Sequence, residues 1–513
     1  MTVTPGTTAP AATAGTRQAA PAAAGDAAGV VAGKGALFIG FAKIYFMLSG
    51  FLQQVLLTRL VGLAEFGAFA VVNNVISVFN NTIVQATIQA TSKFTAEDDA
   101  RAGAVQRAGV RLQAAIGLTV GLALFLGAPL IAAFEKAPQY TRYFRIAAVI
   151  PMLYAVYAVF VGSANGLRRF RTQASFDVGF STAKTVLLLG LAALWKVTGA
   201  FAGFAVAAAF ILIVASRVMR LPASGARFPM ERLGGYMAAF LAYGVLNNLA
   251  LLYDLPLLQH FAGIVDAARA PAISAHYKAM STLALLPYQA LLVITFVIFP
   301  LVSRATFEQD REATRAYVTQ TLRYALILVV AMGLVLGARP ATLLGILFPS
   351  EYGEGAPALP ILVAGECCLA LLAVSCAILN AAGRTSATLV LMLLTVGVGA
   401  SAIALMVPRT TPGTPMLIAA SAATSLGMAS GFVASVAYLR VRLGGSPPAA
   451  TLVRVGAAAA AAATVGRFLP AHGKILGLVT IALVGGVYLT VLVATGEFGA
   501  DDRAKFARVL RRR

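Results

Sequence analysis

Apolar runs of about 20 residues recur along nearly the whole chain, each closed by a short polar or basic loop. They predict membrane-crossing helices near 36–58, 66–90, 112–134, 146–165, 174–195, 199–216, 235–260, 279–302, 320–338, 357–381, 386–407, 415–438, 452–469 and 475–495, about fourteen in all. The thirteenth is the least hydrophobic, built on an alanine-rich run from Gly456 to Val465. The strands of a membrane barrel would read as short alternating segments, so the expected fold class is an all-α polytopic membrane protein.

The pattern repeats. GLALFLGAPLIAAFEKAPQY (121–140) is echoed by GLVLGARPATLLGILFPSEY (333–352). Each copy is followed by a long span that closes on a glycine and a basic residue, in SANGLRR (163–169) and LNAAGRT (379–385). Two six-span lobes of like orientation follow, 34–218 and 233–440, joined by a basic linker at 219–232. Parallel repeats of this kind build transporters with a central cavity between the halves. Two further spans within 441–496 form an appendage, followed by a basic tail at 497–513. Residues 1–33, rich in Ala, Pro, Thr and Gly, lack the apolar core of a signal peptide and predict a disordered cytoplasmic tail.

Composition agrees with the pattern. The chain has 513 residues, 59% hydrophobic and 12% charged, with a mean hydropathy of +0.84. A soluble domain would need far more charged surface. The net charge of +21 does not indicate nucleic acid, because the basic residues lie in short loops rather than one aromatic-interleaved stripe. With the N-terminus inside, alternate loops carry more than twice the Lys and Arg of the others, which predicts an N-in, C-in protein. Cys367, Cys368 and Cys376 fall in one apolar run and read as packing residues. His260, His276 and His472 show no metal-ligand spacing, and no nucleotide loop or nucleophile motif is present. No enzyme activity, metal or cofactor is expected.

The residues that carry chemistry are polar groups at membrane depth. Lys184 lies about 15 Å into span five at 1.5 Å per residue, too deep for easy snorkelling. Asp177, Ser181 and Lys184 share one helix face, as either a structural network or part of a cavity wall. Lys43 in span one is nearer the inner surface and reads equally as cavity cation or interfacial residue. Span two carries Asn73, Asn74, Ser77, Asn80, Asn81, Gln85 and Gln89. Such amides must face other helices or water, as interhelical glue or as a wall suited to sugars. Span seven carries Tyr243, Asn247, Asn248 and Asp254. An intramembrane acid is a functional candidate, for ion coupling or for pairing with a base such as Lys278 or Lys184.

Several stretches resemble a known family: KIYFMLSGFLQQVLLTRLVGLAEFGAFAVVNNVISVF (43–79), YDLPLLQHFAG (253–263), VIFPLVSRAT (297–306) and the run from FPSEYGEGAP to GRTSAT (348–388). Their order and spacing resemble the polysaccharide-transport (Wzx-like) flippases of the multidrug/oligosaccharidyl-lipid/polysaccharide (MOP) exporter superfamily, with similarity also to lipid II flippases. The resemblance implies a bacterial inner-membrane protein whose two lobes enclose a V-shaped cavity and work by alternating access. It implies a polyprenyl-diphosphate-linked glycan as cargo, membrane lipids as surroundings, and polysaccharide polymerase or assembly proteins as candidate partners. By span, Lys43 and Lys184 match the cavity cations thought to meet the diphosphate. The alternative is a cation-coupled multidrug or small-solute exporter with Asp254 as coupling acid. Span one has a lysine and no acid, which disfavours that branch.

Overall fold

The computed structural model describes residues 22–222, 227–292, 302–303, 310–469 and 473–499, with side chains from residue 38. Regular structure among them is helical. The first half holds α1 (Ala22–Val61), α2 (Leu63–Glu97), α3 (Ala102–Phe134), α4 (Thr141–Ala147), α5 (Val149–Gly166) and α6 (Phe170–Val218). The second holds α7 (Met230–Leu252), α8 (Asp254–Val265), α9 (Ala270–Ala284), α10 (Arg311–Ala338), α11 (Pro340–Leu347), α12 (Leu359–Ala381), α13 (Thr385–Met406) and α14 (Thr414–Leu443). Two more, α15 (Ala449–Phe468) and α16 (Lys474–Ala494), complete the chain.

Twelve helical segments among the described residues are long and apolar enough to cross a membrane. The 49-residue α6 breaks at Trp195 and Lys196 and covers both predicted spans five and six. Predicted span eight, 279–302, runs into residues 293–301, which lie outside the described residues, as do Pro300, His472, residues 1–21 and the tail from 500 onward. Residues 22–33 depart from the expected disordered tail and extend α1. Alanine is the strongest helix former, and half of this stretch is alanine.

The apolar periodicity explains which faces meet lipid. Leu118, Leu122, Leu126 and Leu130 recur every four residues on α3 and are all exposed, an apolar stripe facing outward. Inside, α1 packs on α6, α5 on α2, α3 and α6, and α14 on α12 and α13. The last pair, α15 and α16, pack on each other and on α10. The halves meet chiefly where α2 lies against α7 and α9.

The two echoing stretches fold alike. Each ends in a 3-10 turn with a fully buried tyrosine, Tyr140 in Pro138–Tyr140 and Tyr352 in Ser350–Gly355. The spans that follow them close with the same cap. Arg169 N–H donates to Ala164 O at 2.8 Å and Arg384 N–H to Leu379 O at 2.8 Å. The preceding residue is left-handed in both, Arg168 at φ 57° and Gly383 at φ 73°. This is the six-to-one bond of a Schellman cap, whose left-handed position favours glycine.

Loops divide the molecule into an arginine-rich end, with Arg168, Arg169, Arg217, Arg220 and Arg384, and an arginine-poor end, with the turns at Gly62, Lys196 and Gly413.

Candidate functional site

Between the halves lies a cavity of about 280 Å³. The first half contributes Phe46, Met47, Gly50, Phe51 and Gln54 of α1 and Asn74 of α2. Facing them are Asp254 of α8, Lys278 of α9, Gln289 just beyond it, and Glu366 of α12.

Asp254 is positioned by a broken helix. Pro256 cannot donate a backbone bond to Leu252, so the predicted seventh span is interrupted at Tyr253 and Asp254 opens α8. Leu255 N–H donates to Asp254 Oδ1 at 2.9 Å and Tyr277 O–H donates to Oδ2 at 2.8 Å. Thr424 Oγ1 lies 3.0 Å from the same tyrosine oxygen, tying the acid to α14. Glu366 is 4% exposed, and its Oε2 has no hydrogen-bond partner among the described residues. Lys278 lies within electrostatic reach of both acids. Two carboxylates against one ammonium leave the cavity short of one positive charge, which a proton or a bound cation would supply.

The sequence-predicted residues divide around this cavity. Asn74 and Asp254 line it; Lys184, Lys43, Asp177, Asn73, Asn81, Gln85 and Asn247 do not. Lys43 precedes Met47, Gly50 and Gln54 on one helix face, so it stands one turn from the cavity toward the arginine-rich end. Its Nζ lies 2.9 Å from Asp177 Oδ2. Asp177 therefore pairs with Lys43 rather than with Lys184, its neighbour on α6. Asn81 and Gln85 continue the face of Asn74 in the same direction, half-buried and exposed respectively. Lys184 instead sits 4.0 Å over the ring of Phe204, across the α6 break, where it holds the two arms of the hairpin together. Asn73 and Asn247 are half-buried between helices. Asn248, next to it, donates to Gly244 O at 2.8 Å and to Thr82 Oγ1 at 3.4 Å, joining α7 to α2.

Glu366 was missed from the sequence, and Lys278 entered only as a partner for Asp254. Both were legible as ionisable groups in or beside an apolar run.

The halves touch beyond the cavity on both sides. At the arginine-poor end, Gly67 of α2 abuts α9 so closely that a Cβ would lie 1.8 Å from Pro271 O. Beside it, Phe66 meets Tyr352 edge-on at 5.9 Å. Gln259 of α8 donates to Glu135 O at 3.3 Å, and His260 stacks on Phe134 at 4.2 Å. Glu135, just beyond the third span, is 2% exposed, and burial pushes its carboxyl up to about 9. At the arginine-rich end, Arg232 pairs with Glu97 at 3.1 Å. Phe94 packs against Phe228 at 5.2 Å and Tyr236 at 5.6 Å, with Lys93 4.1 Å over the Tyr236 ring. The cavity is thus bracketed by contacts at both ends.

This architecture is shared with solved transporters. A structure of the lipid II flippase MurJ in an inward closed conformation matches with a TM-score of 0.74 at 11% identity, covering 90% of this chain and 99% of that one. An inward-facing multidrug resistance MATE family transporter of the MOP superfamily matches at 0.63 and 15% identity, over 78% and 94%. A MOP superfamily transporter from Pyrococcus furiosus matches at 0.60 and 14% identity, over 80% and 96%. No curated protein matches the chain in sequence. The fold is that of transporters rather than of enzymes, and the chain is a multi-pass membrane protein. Residues 32–306, more than half the chain, match the family model described as polysaccharide biosynthesis protein. The chain is a member of the polysaccharide biosynthesis protein family.

Proposed function

We propose that the protein is a flippase that moves a polyprenyl-diphosphate-linked oligosaccharide from the inner to the outer leaflet of the bacterial inner membrane by alternating access. The observation that carries this reading is the cavity between the halves, with one lysine, two acids and amides from both sides. Within it, Lys278 is the cation placed to meet a diphosphate, and Gln54, Asn74 and Gln289 are placed to bond sugar hydroxyls. Lys43 and Asp177, with Asn81 and Gln85 opposite, would line the approach from the arginine-rich side, which the charge bias makes cytoplasmic. Arrival of the diphosphate at Lys278 would compete with Asp254 and Glu366 for the ammonium. The freed carboxylates would then take up a proton or cation, linking cargo to an ion gradient.

The test is reconstitution in vesicles with a labelled polyprenyl-diphosphate glycan, scoring its transfer between leaflets. Lys278→Gln should reduce transfer at least tenfold, the order expected for loss of one charge-assisted contact. Lys184→Gln should act mainly on stability. Full transfer by Lys278→Gln would remove that lysine from the mechanism, and loss confined to Lys184→Gln would restore the assignment made from the sequence.

The paired acids also favour a second reading, a cation-coupled exporter of small solutes. Ion-gradient-dependent efflux of organic cations, with no glycan transfer, would establish it.

A further inference from the structure

A second cavity, of about 930 Å³, opens at the arginine-rich end, away from the interface between the halves. It lies where the start of α3, the side of α5 and the end of α6 converge. Arg107 and Arg111 enter it from α3, Arg217 and Arg220 from the end of α6, with Val110, Phe160 and Leu221 as an apolar wall. No aspartate or glutamate is among its described lining residues. The wall is fixed rather than adventitious. Gln106, only 6% exposed, donates to Met219 O at 2.9 Å, and its Oε1 accepts from Leu221 N–H at 3.4 Å. Arg107 also reaches Pro222 O.

We propose that this groove binds the phosphate group of an anionic ligand at the cytoplasmic membrane surface, as a site separate from the transport cavity. Four guanidiniums around one cavity give it a positive potential that favours an anion. Guanidinium is the side chain best matched to phosphate, through paired N–H donors. The depth suits a lipid headgroup: the arginines sit at the helix ends, while half-buried Val110 and Leu221 offer an apolar edge for the start of an acyl chain. A soluble diphosphate presents the same chemistry without that chain.

The binding assay uses the full-length protein in zwitterionic detergent, titrated separately with phosphatidylglycerol in mixed micelles and with inorganic pyrophosphate, followed by thermal shift. Each arginine near the surface contributes about fivefold in affinity, so Arg217→Gln with Arg220→Gln should weaken binding about 25-fold. Both side chains are exposed, so the fold should survive. The control removes equal charge at the same end but outside the groove, through Arg440→Gln with Arg442→Gln, and should leave affinity unchanged. Groove-dependent binding of the lipid alone, or of pyrophosphate as well, supports the site and identifies its source. Equal effects of the two double variants would mean plain surface charge and would overturn the proposal, as would absence of saturable binding by either ligand.

Discussion

Glu135 ties the contact at the arginine-poor end to pH. While the end is closed, its buried carboxyl keeps a proton up to about pH 9, and exposure to water would return it toward 4.5. Closed, the group binds one proton more than open throughout that window, so rising pH favours opening by up to about tenfold per unit. Spin labels on α3 and α8 should report wider separations as pH rises in the native chain, and no pH slope in Glu135→Gln. An unchanged slope in the variant would assign the response to another group. A second residue-scale expectation concerns Arg168, which occupies the left-handed cap position that its counterpart fills with Gly383. Left-handed backbone costs a side chain about 1 kcal/mol, so Arg168→Gly should raise thermal stability, measured as an upward shift in unfolding temperature.

At the scale of elements, one buried acid adds to the packing that holds α15 and α16 to the second half. Glu497, 1% exposed, accepts from Arg323 Nε of α10 and Thr451 Oγ1 of α15, each at 2.7 Å, and from Arg454 at 3.2 Å. Burial pushes its carboxyl up, but these donors more than offset that and hold it below the usual carboxylate range. A carboxyl so depressed stabilises the fold above its ordinary pKa, and that contribution is lost as pH falls through the folded value. Glu497→Ala should cost about 2 kcal/mol by removing the buried acceptor shared by Arg323, Thr451 and Arg454, and should remove this acid sensitivity from the unfolding curve. Most elements were legible because span length and apolarity are local properties of the chain. What sequence could not reveal was pairing across distance. Nothing near Asp177 indicates that its cation is Lys43 on another helix. Nothing near Lys184 indicates that a tight turn folds Phe204 back over it. The apolar pattern predicts a continuous seventh span because apolarity persists across Pro256, whereas the helix breaks at Tyr253.

At the scale of the molecule, two separated sets of contacts hold the halves together, and the proposed alternating access would require each to part in turn. A cysteine pair at Glu97 and Arg232, in a background with Cys367, Cys368 and Cys376 replaced, should stop transport when bridged by a cleavable bifunctional thiol reagent and release it when the bridge is cut. Transport that continues with the link formed would show that the arginine-rich end need not open there. The small volume of the closed cavity carries one more consequence. About 280 Å³ is below the usual range for a drug-sized ligand, so an oligosaccharide cannot be enclosed in it. Under the proposed function, the halves must part further than in this closed state to admit a glycan, and specific recognition would be confined to the few groups nearest the lipid. Glycans that differ only in their distal sugars would cross at the same rate, and the protein would be selective for how a chain begins and indifferent to how it continues.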